Sequence, residues 1–170
     1  MAARLLLALL VAAAAVLAPA AAVAEPAVQP GPPWSSPLGD PPVVTRPFAP
    51  PPTPYGAGHR GADLGGAPGE VVRAAGYGVV AFAGMVAGRP VVSVDHAGGL
   101  RTTYEPVAPG VGAGQAVRRG DPLGTLVAGH DGCPAAACLH WGLRSGGTYL
   151  DPLALLRPPR VRLLPLAPAG

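Results

Sequence analysis

The chain has 170 residues and a formal net charge of +3, and its 12 basic residues are all arginine. The arginines are spread along the chain without a basic stripe of interleaved aromatic residues, so the sequence gives no support for nucleic-acid binding. When the apolar N-terminus and the two proline-rich stretches are set aside, about 110 residues remain, which is enough for one modest domain.

The first 24 residues have the organisation of a secretory signal peptide. Arg4 gives a short basic start, residues 5–18 are apolar without interruption, and the small residues 22–24 precede Glu25. The apolar run is shorter than the roughly 20 residues that a membrane span requires. We therefore predict a cleaved signal peptide over residues 1–24, and a secreted protein that has no membrane contact after cleavage.

Proline-rich stretches flank the domain. Proline fixes the backbone φ angle and cannot donate a hydrogen bond to a β-ladder, so such stretches favour extended chain. We predict an extended linker over residues 25–42, a single domain over residues 43–156 and a poorly ordered tail over residues 157–170. At the start of the domain, VVTRPF at 43–48 is predicted to form a short edge strand.

The domain is predicted to be all-β. Short runs rich in Val, Tyr, Thr and Phe are separated by glycine-containing turns, a spacing typical of antiparallel strands. No window shows a helical period with capping residues. Strands are therefore expected at 70–74, 79–83, 90–94 and 100–105, within a compact β-sandwich or half-barrel.

A further strand is expected in CLHWGLR at 138–144. Because side chains alternate along a strand, His140 lies on the same side as Cys138, whereas Leu139 and Trp141 lie on the other. His140 can therefore point into a groove while its neighbours pack in the core.

Cys133 and Cys138 are the only cysteines of the chain. In an oxidising compartment, two cysteines separated by four residues are most simply a disulfide, and the small spacer PAAA lets them meet. The alternative is Cys138 as the fourth ligand of a closed structural metal site, which requires free thiols in a secreted protein.

The stretch GHRGADLGG at 58–66 holds a second candidate group. His59 and Asp63 are four residues apart among glycines, a poor helix-forming sequence, so a loop that enters a strand is expected. Alone, H-x-x-x-D is weak evidence for a metal site. Together with His140, it supplies three residues of the types that bind Zn²⁺, and three protein ligands with one water is the arrangement of a catalytic zinc site.

These stretches together resemble the lysostaphin-type (LytM-like) zinc endopeptidases, which cut peptide bonds in bacterial cell-wall peptidoglycan. The resemblance covers residues 43–156 and is carried by HRGADL, RTTYEP and LHWGLR, with VVSVDHAGGLRTTYEPV, GQAVRRGDPLG and YLDPL. It implies an open antiparallel β-sandwich with a groove, the duplicated hybrid motif fold. It also implies that His59, Asp63 and His140 bind Zn²⁺.

Two positions depart from the family pattern. The family has a histidine where this chain has Cys138, as the first residue of H-x-H, and another where it has Pro106, as the last residue of Y-x-H. General acid–base assistance is worth about 10²–10⁴-fold in rate and an oxyanion donor about 10²–10³-fold. The candidate substitutes are Tyr104, predicted to share the inward face with position 106, and His130, in the loop before the last strand. Glu105 is expected to point the other way.

Three functions are compatible with these features. The first is a secreted zinc endopeptidase that acts on peptidoglycan peptides. The second is a catalytically degenerate module that binds the cell wall or regulates hydrolases. The third is a disulfide-bonded β-domain in which the His59–Asp63 pair is incidental. The family pattern favours the first and the missing histidines favour the second. In either case a monomer is expected, with peptidoglycan peptides or cell-wall proteins as partners.

Overall fold

The computed structural model describes residues 33–53 and 56–157, and it is built almost entirely of β-strands. The predicted signal peptide and the part of the predicted tail beyond residue 157 lie outside the described residues. Within the described ranges, the only helical segments are two 3₁₀ turns, Ala97–Gly99 and Pro152–Leu156. None of the helical segments described is long and apolar enough to cross a membrane.

The all-β prediction is confirmed, and a strand occurs in each run for which one was expected. The short edge strand near residue 45 is also present. In chain order the strands are β1 Val44–Arg46, β2 Gly61–Gly66, β3 Val71–Arg73, β4 Gly78–Val86, β5 Arg89–Asp95, β6 Leu100–Glu105, β7 Val107–Pro109, β8 Ala116–Val117, β9 Pro122–Leu126, β10 Ala137–Ser145 and β11 Thr148–Leu150.

The strands form two open antiparallel sheets. The larger has the order β1-β2-β10-β6-β5-β4-β8, with β11 paired to the far end of β10. The smaller has the order β3-β9-β7. The chain passes from the larger sheet to the smaller one at Pro106, between β6 and β7. This open two-sheet arrangement is the fold that the family resemblance implies.

A hydrophobic core lies between the two sheets. Alternation along each strand of the larger sheet sends one set of side chains inward, and the smaller sheet covers them. Burying a large apolar side chain stabilises the fold by about 1.5–3 kcal/mol each. Fully buried members from both sheets are Tyr104, Leu139, Trp141, Val72, Leu123 and Leu126. The opposite face of the larger sheet remains open.

Residues 33–42 differ from the extended linker that was predicted for them. Leu38 is 3% exposed and belongs to the core. Trp34 packs edge-on against His96, with ring centroids 4.8 Å apart. The prediction followed the proline content of the stretch, whereas these two large apolar side chains bury enough surface to hold it against the domain.

A buried line of hydrogen bonds crosses the core behind the larger sheet. His96 Nδ1 donates to the carbonyl of Tyr77 at 2.7 Å, and His96 Nε2 lies 2.7 Å from the Thr102 hydroxyl. The hydroxyls of Thr102 and Tyr104 are 2.9 Å apart, and the backbone N–H of Ala75 donates to the Tyr104 hydroxyl at 3.0 Å. Burial lowers the pKa of His96, although its bond to Tyr77 acts in the opposite direction. Burial raises the pKa of Tyr104 to about 12.

Cys133 and Cys138 form a disulfide, as predicted, with Cα atoms 5.7 Å apart. Cys138 lies in β10 and is fully buried, whereas Cys133 lies in the loop that joins β9 to β10. The alternative role of Cys138 as a metal ligand is therefore wrong. The bond ties the loop to the strand that carries His140.

The Tyr104→Phe variant tests the buried hydrogen-bond line. Removing the hydroxyl leaves the Ala75 N–H without its acceptor, so we expect a loss of about 1–3 kcal/mol of unfolding free energy at pH 8. Tyr104 ionises near pH 10 when unfolded and near pH 12 when folded. The stabilisation that the neutral Tyr104 hydroxyl gives the folded state is therefore complete below pH 10. It declines as the pH rises and is smaller by about 1.4 kcal/mol at pH 11.

Urea unfolding of both proteins at pH 8, 9, 10 and 11 measures these two effects. The difference in unfolding free energy between the parent and Tyr104→Phe should become smaller as the pH rises, because the variant has no titrating group at this position. Parallel curves would show that the Tyr104 hydroxyl titrates normally and would contradict its burial.

Candidate metal centre

Three side chains from separate parts of the chain converge at one place. His59 Nε2, Asp63 Oδ1 and His140 Nδ1 form a triangle with sides of 2.8 Å (His59–Asp63), 2.8 Å (Asp63–His140) and 3.1 Å (His59–His140). His59 and Asp63 are buried and His140 is partly exposed. The structure thus brings together the three residues that the sequence nominated as metal ligands.

The pairing of β2 with β10 places two of the three. Asp63 lies directly opposite His140 in this antiparallel pair. Directly opposed residues point to the same face, with Cβ atoms about 4.5–5.5 Å apart. Leu64 and Leu139, opposed one step along, point to the core instead.

The strand-like segment before the site holds His59. Ala49 and His59 form an isolated antiparallel bridge, with backbone N–H···O distances of 3.0 and 2.7 Å. His59 Nδ1 donates to the Pro47 carbonyl at 2.7 Å. This bond fixes the tautomer, so that Nε2 faces the site as a potential ligand. The Pro47 carbonyl was not identified from the sequence, because nothing in a sequence marks a backbone carbonyl as an orienting group.

Gly61 makes room for the imidazole of His140. A Cβ at this position would lie 2.6 Å from His140 Nε2 and 2.5 Å from the Trp141 carbonyl oxygen. The requirement for glycine is therefore steric. The sequence signal is the run of glycines around H-x-x-x-D, which by itself argues only against a helix.

The donor atoms fit a bound cation. Because His59 Nδ1 donates to Pro47, a neutral His59 turns a lone pair on Nε2 toward the oxygen of Asp63, only 2.8 Å away. Two lone pairs at this distance repel unless a proton or a cation lies between them. Ligand atoms of a tetrahedral Zn²⁺ site are about 3.3 Å apart, given Zn–N and Zn–O distances of about 2.0–2.1 Å. The triangle needs to open by only a few tenths of an ångström to reach that size.

Asp63 is held in its charged form. Burial acts to raise its pKa, but the hydrogen bond from His140 and the charges of His59, His130 and His140 outweigh burial and lower the pKa. A carboxylate that stays ionised is the form that a metal ion requires.

His130 approaches the same cluster from the loop between β9 and β10. Its Nε2 lies 3.4 Å from Asp63 Oδ1, and its ring stacks on that of His140 with centroids 6.3 Å apart. Its Nδ1 donates to the Asp131 carbonyl at 3.0 Å, so Nε2 is the nitrogen turned toward the site. The sequence had nominated His130 as a substitute for a missing family histidine.

Tyr104 does not reach the site. It lies opposite Trp141, so it points into the core, where its hydroxyl bonds to Ala75 and Thr102. It was expected to reach the site because it was counted onto one face with position 106, but β6 ends at Glu105 and the chain then changes sheets. The alternation of side chains along a strand cannot be extended through a residue at which the chain leaves one sheet for another.

Glu105 was expected to point away, and this was wrong. It lies directly opposite His140, on the site's side of the sheet. Pro106 and Cys138, at the two vacated family positions, are both buried. Neither offers a group for proton transfer.

Comparison with known proteins finds a family match that covers the three candidate metal ligands. The model of Peptidase family M23 matches residues 57–152. The uncharacterised proteins Mb2915 of Mycobacterium bovis and Rv2891 of Mycobacterium tuberculosis are each 53% identical over 138 residues, 79% of this chain. The match covers 55% of each relative, so the chain spans about half the length of the curated relatives it matches.

Solved structures share the fold at low identity. Csd3 of Helicobacter pylori has a TM-score of 0.60 and 22% identity, covering 78% of this chain and 37% of that one. The catalytic domain of the antimicrobial peptidase lysostaphin from Staphylococcus simulans has a TM-score of 0.56 and 21% identity, covering 69% and 93%. A zinc containing peptidase from Vibrio cholerae has a TM-score of 0.56 and 22% identity, covering 68% and 37%.

The Gly61→Ala variant tests whether the ligand triangle depends on the space beside His140. The added methyl group must displace the imidazole, so we expect affinity for Zn²⁺ to fall about tenfold or more. Competition against a chromophoric chelator measures it. Gly112→Ala is the matched control, because a Cβ there meets nothing within 4 Å. Equal affinities in the two variants would contradict the steric role of Gly61.

Proposed function

The chain belongs to peptidase family M23, and from that membership we propose that it is a secreted zinc metalloendopeptidase acting on peptide cross-links of the bacterial cell wall. The observation that carries the proposal is the convergence of His59, Asp63 and His140, with ligand atoms 2.8–3.1 Å apart. Two proteins of similar fold are described as peptidases, one of them as zinc containing.

His59, Asp63 and His140 are the residues that would hold the metal. A Zn²⁺ ion bound there supplies Lewis acidity, which polarises a carbonyl group and lowers the pKa of water. The remaining catalytic work falls to groups of the chain itself. It comprises taking a proton from the attacking water and returning one to the departing amine.

We propose His130 as the group that carries out this proton transfer. Its Nε2 faces the cluster at 3.4 Å from Asp63 Oδ1, while Nδ1 is occupied by the Asp131 carbonyl. It stands where one imidazole can accept and release a proton beside the ligands without being one of them. Proton transfer by a positioned side chain contributes about 10²–10⁴-fold in rate.

The disulfide supports this arrangement. The backbone N–H of Cys133 donates to the His130 carbonyl at 3.3 Å, and Cys133 is bonded to Cys138 on β10. The loop that carries His130 is thus tied to the strand that carries His140. In this proposal the residue at the vacated position 138 no longer acts on substrate and instead anchors the loop that brings in another histidine.

A second candidate function is a binding or regulatory module for the cell wall. It is favoured by one observation, namely that buried Pro106 and disulfide-bonded Cys138 occupy the positions of both family histidines. Such a module keeps the groove and the metal ligands but does not hydrolyse. In either case we propose a monomer located at the cell wall, with peptidoglycan peptides or cell-wall proteins as its partners.

Two single variants separate metal binding from proton transfer. We expect His140→Ala to lose both bound Zn²⁺ and hydrolysis of purified peptidoglycan, because it removes a ligand. We expect His130→Gln to keep its Zn²⁺ and to lose about 10²–10⁴-fold in kcat, because it removes only the proton-transfer group. Metal content by elemental analysis and release of new amino groups are the two measurements. Full activity in His130→Gln would remove His130 from the mechanism.

A triple variant decides between the two functions if the parent chain is inert. Pro106→His and Cys138→His restore the family pattern, and Cys133→Ser avoids a stray thiol. A gain of peptidoglycan hydrolysis over an inert parent would establish the native chain as a binding module. Zinc-dependent hydrolysis by the parent, lost in His140→Ala, would instead rule that module out.

A further inference from the structure

A groove continues from the metal centre across the open face of the larger sheet. Its volume is about 770 Å³, and it runs over β10, β6 and β5. Side chains at every second position of β10 share one face, so the groove and the metal centre form one surface. Three opposed pairs form its floor: His140 with Glu105, Gly142 with Thr103, and Arg144 with Arg101.

The groove carries an excess of positive charge. Four arginines and a single carboxylate line it: Arg60, Arg89, Arg101, Arg144 and Glu105. Arg101 is neutralised by Asp95, which accepts from its Nη2 at 2.7 Å. Arg89 Nε is 4.0 Å from Glu105 Oε2, and its side chain is 59% exposed, so this ion pair contributes little.

Arg144 is an arginine of the groove that no carboxylate of the described residues pairs with directly. It is half-buried and lies directly opposite Arg101, and like charges opposed across an antiparallel pair are destabilising. Among the residues that the structure describes, it has no ion pair or side-chain hydrogen bond. Asp95 is close enough for a Coulombic attraction to Arg144, but its carboxylate already accepts hydrogen bonds from Arg101. An anion from a ligand would offset this cost.

The path from the metal centre to Arg144 is unobstructed by a side chain of β10. Gly142 is the one residue between His140 and Arg144 on that face of the strand. Four residues of strand span about 13 Å, and an extended peptide rises about 3.3 Å per residue. A ligand group about four residues from the metal centre therefore reaches Arg144.

We propose that the groove selects peptides that carry a free carboxylate about four residues from the bond at the metal centre, and that Arg144 is the specificity-determining residue that binds it. The inference rests on the proposed function, because it assigns the substrate class of the same site. A guanidinium group holds a carboxylate by two parallel hydrogen bonds, which makes arginine the residue suited to this task.

Binding of synthetic peptides to the zinc-depleted chain tests the proposal without hydrolysis. The probes are capped Ala/Gly heptapeptides with one glutamate at each position in turn, and matched peptides with glutamine. At the favoured position, we expect the glutamate peptide to bind about tenfold tighter or more, with a preference that weakens as salt is added. Calorimetric titration gives the dissociation constants.

Variants locate the preference. We expect Arg144→Gln to bind both peptides of the favoured pair equally, and Arg144→Lys to keep part of the preference because it retains charge without the planar fork. Arg118→Gln is the matched control, since Arg118 is exposed and outside the groove, and it should keep the full preference. A preference that survives in Arg144→Gln overturns the proposal. Equal binding of both peptides to the parent, or no binding of any at about 1 mM, overturns it as well.

Hydrolysis of peptidoglycan, measured separately, tells the two proposals apart. Hydrolysis without carboxylate preference would leave the peptidase function standing and remove the role of Arg144. Carboxylate preference without hydrolysis would leave the groove as the binding surface of a non-enzymatic module.

Discussion

The register between β2 and β10 is the constraint on which the rest of the site depends. Asp63 faces His140 because the two strands are paired at these residues, and the next pair along, Leu64 with Leu139, faces the core. A slip of one residue would exchange the two sets, burying the imidazole and exposing leucine. The free energy of the core therefore fixes the geometry of the candidate metal centre, because the alternative register loses several buried apolar side chains.

Under the proposed function, the chain takes its proton-transfer histidine from a loop and keeps the three candidate metal ligands. Cys138 occupies a position where the family pattern has a histidine, and here it forms a disulfide with Cys133. The loop anchored by this bond holds His130 Nε2 3.4 Å from Asp63 Oδ1. The histidine thus arrives from a loop and not from the strand. A group on a loop has more freedom than one on a strand, and the covalent tie restricts that freedom.

The sequence predicted the local features well and the relations between sheets poorly. Strand positions and the disulfide follow from residue types and short spacings. The grouping of His140 with His59 and Asp63 came from the family resemblance, since His140 lies 77 residues from Asp63 along the chain. The placements of Tyr104 and Glu105 failed, because alternation was extended through Pro106, where the chain leaves one sheet for the other. The packing of Trp34 and Leu38 was missed because it depends on a surface formed by residues far along the chain.

The bridge between Ala49 and His59 limits how far the chain can be shortened from its N-terminal side while His59 stays oriented. The segment that orients His59 through the Pro47 carbonyl lies before residue 57, where the family match begins. A fragment trimmed to residues 57–152 would keep all three ligands, yet it would lose the hydrogen bond that aims one of them and the strand β1 that shields β2. Proteolytic nicking between residue 49 and residue 59 would have a similar result, since the orienting carbonyl would no longer be held by chain continuity. The orientation of His59 thus depends on the integrity of a stretch of chain that supplies no ligand of its own.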